Sequence, residues 1–175
     1  DGQIIAYNLG GANAGIDLAL AARSQLGPVT ITNNGLISGY SQTSIGVLSF
    51  GQFTLNNSAD GVIESTTGYG IVLDTVDSVI DNYGKITSGV PATLEAILSV
   101  NENSSDIVNL HDGTITGNIS LLSGTDSLNW TGGLLVGDAF MGTGSDSITV
   151  SAAGYTGTNR FDGGDDLSGI DGQVD

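Results

Sequence analysis

Cysteine is absent from this chain of 175 residues, and basic residues are nearly absent. Without cysteine the protein has no disulfide, zinc–thiolate site or thiol nucleophile. Only 3 basic residues stand against 19 acidic ones, which gives a formal net charge of -16. Phosphate backbones and anionic lipid headgroups are bound by Lys and Arg. We therefore expect neither a nucleic-acid partner nor membrane contact by this segment.

Long apolar runs are also missing, and proline is limited to 2 residues. The longest apolar runs, such as residues 133–137, are far too short to cross a bilayer. No charged-then-apolar leader opens the chain, which we interpret as a mature fragment. Glycine is abundant at 28 residues, and the apolar content of 39% argues against disorder. A turn-rich all-β chain is expected.

The second half of the chain repeats with a constant spacing. Acidic residues recur at Asp106, Asp126, Asp146 and Asp166. Apolar residues follow them two and four positions later, and glycines keep the same register: Val108, Leu128, Ile148, Leu110, Trp130, Val150, Ile170, Gly117, Gly137 and Gly157. Such a period, with apolar residues two apart, is typical of a strand-built solenoid whose units bury their apolar faces against each other.

A looser repeat, with wider and more variable spacing, occupies residues 29–98. Alternating Val, Ile and Leu are expected to point inwards, with Thr, Ser and Asn pointing outwards. Asn33, Asn57 and Asn82 stand at equivalent corners. We expect their side chains to stack into a ladder of amide hydrogen bonds.

Together the repeats predict an all-β, right-handed parallel β-helix with coils of about 20–26 residues. Residues 1–28 are expected to form an irregular N-terminal coil or cap, although the alternation of Ile16, Leu18 and Leu20 favours a strand there. Residues 29–175 are expected to form one continuous solenoid. Trp130 replaces Leu110 in the repeat and is predicted to pack in the core, the alternative being an exposed ring that stacks on a glycan.

The acidic residues are the best candidates for a metal site. Residues 141–149 match the calcium-binding nonapeptide G-G-x-G-x-D-x-U-x except at its first glycine, and carboxylates suit Ca²⁺. However, the segment that follows does not match, and such sites need tandem copies. The favoured alternative is that each Asp fixes a turn by accepting backbone N–H bonds. No metal or cofactor is predicted, and the calcium candidates are Asp146, Asp162, Asp165 and Asp166.

Catalytic groups are sparse, and no enzymatic activity is predicted. The adjacent pair Asp165 and Asp166 suggests glycosidase carboxylates, but neighbours on a strand point to opposite faces. His111 is the only histidine, lies beside Asp112 in an expected turn, and is predicted to be solvated. A polyuronate lyase would need more cationic groups than the 3 that the chain has.

Residues 80–86 (IDNYGKI) and 124–130 (GTDSLNW) resemble the passenger-domain repeats of bacterial type V autotransporters. The resemblance covers roughly residues 29–170. It implies a right-handed β-helix exported to the bacterial cell surface, acting as an adhesin, a self-associating stalk or a scaffold for enzymatic domains. No large inserted domain interrupts these repeats, which disfavours the enzymatic role.

The sequence supports three candidate functions. The leading one is a structural or adhesive stalk whose repeated Ser, Thr and Asn side chains bind a host-surface glycan or protein, or another copy of the chain. The first alternative is a calcium-stabilised repeat module of a secreted protein. The second alternative is a polysaccharide-processing β-helix enzyme.

Overall fold

A computed structural model describes residues 3–6, 18–24, 27–39, 43–49, 52–91, 93–152 and 159–163. Within these ranges the chain forms strands and turns, and no helix. The strands are β1 (Gln3–Ala6), β2 (Leu18–Ser24), β3 (Val29–Asn33), β4 (Leu36–Gly39), β5 (Thr43–Ser49), β6 (Phe53–Asn57), β7 (Val62–Ser65), β8 (Tyr69–Thr75), β9 (Asp77–Asn82), β10 (Lys85–Thr87), β11 (Glu95–Ser99), β12 (Ser105–Leu110), β13 (Thr114–Thr116), β14 (Asn118–Ser120), β15 (Ser123–Gly124), β16 (Ser127–Trp130), β17 (Leu134–Val136), β18 (Ala139–Phe140), β19 (Thr143–Gly144), β20 (Ser147–Val150) and β21 (Phe161–Asp162).

Three parallel sheets form the walls of a β-solenoid. The first sheet has the order β1-β4-β7-β10-β13-β17, the second β2-β5-β8-β11-β14-β18-β21, and the third β3-β6-β9-β12-β16-β20. Each coil contributes one strand to each wall in turn, and the 6 strands of the first sheet span about five turns. The prediction of an all-β parallel β-helix is confirmed.

The constant spacing of the second repeat is confirmed through its described part. Ile107 pairs with Ser127, and Ser127 with Ser147. One earlier coil is longer than predicted, because Lys85 pairs with Thr114 and the chain between them exceeds the expected range of coil lengths. The extra residues lie in the connections 88–94 and 100–104. The repeat positions Gly157, Asp166 and Ile170 lie outside the described residues.

The N-terminal strands extend two of the walls. β1 pairs with β4, and β2 with β5. The strand predicted around Leu18 and Leu20 is therefore present, with Leu20 opposite Ile45. Ile16 lies outside the described residues.

The core is a continuous apolar column inside the three walls. Its largest fully buried side chains are Phe53, Leu55, Ile63, Ile71, Leu73, Ile80, Ile86, Ile97, Leu110, Ile115 and Ile119. Trp130 is 2% exposed and meets the ring of Phe161 edge-on at 6.5 Å between centroids. Its predicted core position is confirmed, and the alternative of an exposed glycan-stacking ring is wrong.

Glycines allow successive coils to approach at the corner between the third and first sheets. A Cβ atom on Gly84 would collide with the carbonyl oxygen of Gly61, and one on Gly113 with that of Gly84. Gly133 continues this glycine column and has a φ of +72°, a value that L side chains rarely adopt. Larger residues at these positions would separate neighbouring coils.

Candidate functional site

Each strand of the third sheet buries one column of side chains at its start and another at its end. The start column contains Val29, Phe53, Ser78, Asp106, Asp126 and Asp146, and the end column contains Asn33, Asn57, Asn82, Leu110, Trp130 and Val150. Polar side chains occupy the end column in the early coils and the start column in the late coils. Both columns belong to the strands of the third sheet, so they lie directly behind the outer face of that sheet.

The end column begins with the predicted asparagine ladder, which is confirmed. The Nδ2 atom of Asn33 donates to Oδ1 of Asn57 at 2.9 Å, and Nδ2 of Asn57 donates to Oδ1 of Asn82 at 2.8 Å. Asn57 and Asn82 are fully buried. Each amide also donates to a carbonyl oxygen near its corner, which for Asn82 is Gly84 O at 3.2 Å. The ladder therefore ties coils together while satisfying the corner carbonyl groups.

The start column carries an aspartate ladder. The backbone N–H of Asp106 donates to Oδ1 of Asp126 at 2.7 Å, and that of Asp126 donates to Oδ1 of Asp146 at 2.8 Å. The favoured prediction was an Asp that fixes a turn by accepting nearby backbone N–H groups, and only the acceptor role is found. The donor differs from expectation, because it lies in the neighbouring coil and not in the same turn.

Burial changes the acidity of this ladder. The pKa of Asp126 is raised to about 7, first of all by loss of solvation; the Asp106 N–H opposes this shift, and the charges of Asp106 and Asp146 add to it. Burial also raises the pKa of Asp106, opposed by the hydrogen bond from the Ser104 hydroxyl at 2.7 Å. The second carboxyl oxygens of Asp106 and Asp126 are buried without a hydrogen-bond partner. A neutral, protonated carboxyl is the form that such an environment favours.

The calcium candidates are not brought together as one group. Asp146 lies in the aspartate ladder, beside the third sheet. Asp162 lies in β21 of the second sheet, where the guanidinium group of Arg160 donates to it at 2.6 Å. Asp165 and Asp166 lie outside the described residues. Across the residues that the structure describes, no group of three or more metal-ligating side chains occurs.

Addition of millimolar Ca²⁺ is expected to leave the melting temperature unchanged relative to excess EDTA. Oδ1 of Asp126 and Oδ1 of Asp146 already accept backbone N–H groups, and a protonated carboxyl is a poor ligand for Ca²⁺. Thermal unfolding followed by far-UV circular dichroism checks this. A melting temperature raised by many degrees would indicate binding to the native state and would contradict the prediction.

The outer face of the third sheet presents a continuous line of polar side chains, which we call the outer polar column. Its members, one from each coil in register, are Thr32, Asn56, Asp81, Asn109, Asn129 and Thr149. Nδ2 of Asn129 donates to Oδ1 of Asn109 at 2.9 Å, and Nδ2 of Asn109 donates to Oδ1 of Asp81 at 2.9 Å. The side chains are thus held about 4.8 Å apart along the rod axis, the spacing of paired strands.

Two stacked aromatic rings stand beside this column. The rings of Tyr83 and His111 lie 4.2 Å apart between centroids, with an angle of 12° between their planes. Nε2 of His111 lies 3.4 Å from Oδ1 of Asp81, and Nδ1 lies 3.4 Å from the hydroxyl of Thr131. The prediction that His111 is solvated is wrong, because the ring is half-buried between these partners.

This outer arrangement was not predicted from the sequence, although part of its signal was present. Asn109 and Asn129 keep the constant spacing of the second repeat, at positions between the inward-facing residues of their strands. The pairing of Tyr83 with His111 carried no such signal, since the two rings are joined by a coil whose length was underestimated.

The fold and these columns define the protein as a β-solenoid. Comparisons with protein-family models, with curated protein sequences and with solved structures find no match to the chain. Among the described residues, no helix is long and apolar enough to span a membrane.

Proposed function

We propose that this chain is a stalk segment of a bacterial surface-displayed protein of the autotransporter type. In this role it mediates adhesion to a host-surface glycan or protein, or self-association. The observation that supports the proposal best is the outer polar column, in which amide, carboxylate and hydroxyl groups repeat along one face of a rod.

Regular spacing is what makes such a face suited to adhesion. Hydrogen bonds hold Asn109 and Asn129 in place before any partner arrives, so less side-chain entropy is lost on binding. A partner with its own repeat engages several coils at once, and individually weak contacts then add through a high effective concentration. The apolar core behind the column keeps the face rigid.

Charge sets the conditions under which copies of the chain associate. A formal net charge of -16 opposes the docking of like molecules, and salt screens that repulsion. Self-association is therefore expected to strengthen with salt. Binding to a neutral glycan is expected to be much less sensitive to salt.

Substitution of Asn129 by arginine is expected to weaken adhesion of protein-coated beads to host cells, or to weaken self-association, by at least about tenfold. A long charged side chain at this position removes the side-chain hydrogen bond to Asn109 and interrupts the outer polar column. Bead adhesion to cells and light scattering across a salt series measure the two activities.

The matched control is Thr116→Arg, which adds the same charge on the outer face of the first sheet. Both variants are expected to melt within a few degrees of the parent chain, because both positions lie on outer faces and the one hydrogen bond that Asn129→Arg removes is worth only about 1 kcal/mol. Equal loss in both variants, or no loss in Asn129→Arg, would contradict the proposed role of this face.

A further inference from the structure

Tyr83 is the most exposed large aromatic side chain in the described part of the chain, at 46%. It stands in the bend that directly follows β9, two residues after Asp81. One face of its ring is covered by His111. The residue nevertheless keeps almost half of its surface exposed.

In the preceding coil, a small residue occupies the position that corresponds to Tyr83. This residue is Ser58, since the backbone N–H of Ser58 donates to Asn33 O as that of Tyr83 donates to Asn57 O. A seryl side chain is too small to cover a phenol ring. At this corner a small side chain in one coil is followed by a large flat one in the next, which leaves part of the Tyr83 ring exposed. We call this exposed ring surface the Tyr83 ledge.

The ledge is fixed in position. His111 backs the Tyr83 ring and is itself held between Asp81 and Thr131, with both contacts at 3.4 Å. Asp81 in turn accepts from Asn109 at 2.9 Å. A ligand that stacks on Tyr83 therefore meets a ring whose orientation is already set, and this lowers the entropic cost of binding.

Polar groups flank the ledge. Asn56 points outwards from β6, two residues before Ser58, and stands directly opposite Asp81 in the sheet register. A carboxamide offers donors and an acceptor, and a carboxylate offers acceptors. Neighbouring hydroxyl groups of a sugar need this combination, while the apolar face of a pyranose ring needs a flat aromatic surface.

We propose that the Tyr83 ledge, with Asn56 and Asp81, is a subsite for a neutral pyranose unit of a saccharide. This inference rests on the proposed adhesive function and names its ligand class. Acidic sugars are disfavoured, because Asp81 borders the ledge and the whole chain carries a formal charge of -16. The same negative charges would also suit a cationic side chain that stacks on the ring, and binding of oligolysine distinguishes such a cation from a sugar.

The test uses the full chain and neutral oligosaccharides of glucose, galactose and N-acetylglucosamine, with binding followed by saturation-transfer NMR and calorimetry. At least one is expected to bind with a Kd on the order of 1 mM, with little dependence on salt. Tyr83→Ala is expected to weaken binding at least about tenfold, and Tyr83→Phe, which keeps the ring, to change it less than about threefold. Asn56→Ala is expected to weaken binding as well, with melting temperatures confirming that each variant is folded.

Several results would overturn the inference. One is saccharide binding that survives Tyr83→Ala, and another is binding of none of the three sugar classes. Binding of oligolysine, but not of sugars, that is lost in Tyr83→Ala and falls steeply with salt would assign the ledge to a cation instead.

The Asn129→Arg experiment separates this inference from the proposed function. Adhesion that is lost in Asn129→Arg but unaffected by Tyr83→Ala would remove the subsite and leave the adhesive stalk in place. Tyr83-dependent sugar binding without adhesion or self-association would keep the subsite and remove the adhesive function.

Discussion

Replacement of Asp126 by asparagine is expected to raise the melting temperature at about pH 8 by about 5–10 °C. Asp126 is fully buried, and its pKa is raised to about 7, first of all by burial. Above that pH the native state holds a charged carboxylate in the core. Asparagine removes the charge and keeps an oxygen that can accept the Asp106 N–H, which lies 2.7 Å from Oδ1 in the parent chain.

The stability of the parent chain should fall as pH rises through this range. The pKa of Asp126 is higher in the folded state, at about 7, than its ordinary value of 3.8, so the folded state binds more protons between these values. The favourable contribution is complete below about pH 4 and is lost as pH rises through about 7, and it is on the order of 4 kcal/mol. The raised pKa of Asp106 acts in the same direction.

Melting curves recorded between about pH 5 and pH 8 check both statements. Other carboxylates also affect the parent's pH profile through the overall charge, so the informative quantity is the difference between variant and parent. The control is Asp74→Asn, which removes one exposed carboxylate from the second sheet and should leave the slope nearly unchanged. A parent chain and an Asp126→Asn variant with the same pH profile would show that the buried carboxyl does not titrate in this range.

Replacement of Asn57 by alanine is expected to lower the free energy of unfolding by about 2–4 kcal/mol. Asn57 is 0% exposed. Its side chain accepts from Asn33 at 2.9 Å and donates to Asn82 at 2.8 Å and to Gly61 O at 3.3 Å. Alanine leaves those groups buried without their partner and also leaves a cavity, so two costs add.

The adjacent residue is the matched control for this prediction. Asn56 has the same side chain but points outwards, so Asn56→Ala is expected to change stability by less than about 1 kcal/mol. Urea unfolding of both variants, followed by circular dichroism, measures the difference. Equal destabilisation would show that the ladder contributes no more than a surface amide does.

The solenoid could be predicted from the sequence because its second half repeats without insertions. An invariant spacing places Val108 beside Leu128 whatever the path of the loops. The longer coil from Lys85 to Thr114 was not predicted, since extra residues in corner loops cost little and leave no trace in the strand pattern. The stack of Tyr83 on His111 depends on that coil and was missed with it.

The burial of the aspartates could have been predicted but was not. Asp106, Val108 and Leu110 stand two apart, and residues two apart on a strand share a face. The alternation therefore pointed Asp106 inwards. A carboxyl is rarely buried without a partner, which favoured a turn or metal interpretation. The partner that stabilises the buried carboxyl is a backbone N–H group of the neighbouring coil, and the pattern within a single repeat unit does not reveal it.

In the third sheet, buried polar side chains lie at the strand ends in the early coils and at the strand starts in the late coils. This difference limits where a coil can be added to the solenoid. Around Asp126 each coil presents an aspartate and apolar residues at equivalent positions, and backbone N–H groups of one coil meet carboxylates of the next. Duplication of one repeat unit there would insert a coil whose two faces both find matching partners. The same unit placed beside β6 would set a carboxyl against Phe53 and a leucine or tryptophan against Asn57. A duplicated unit is thus better matched among the C-terminal coils than beside β6.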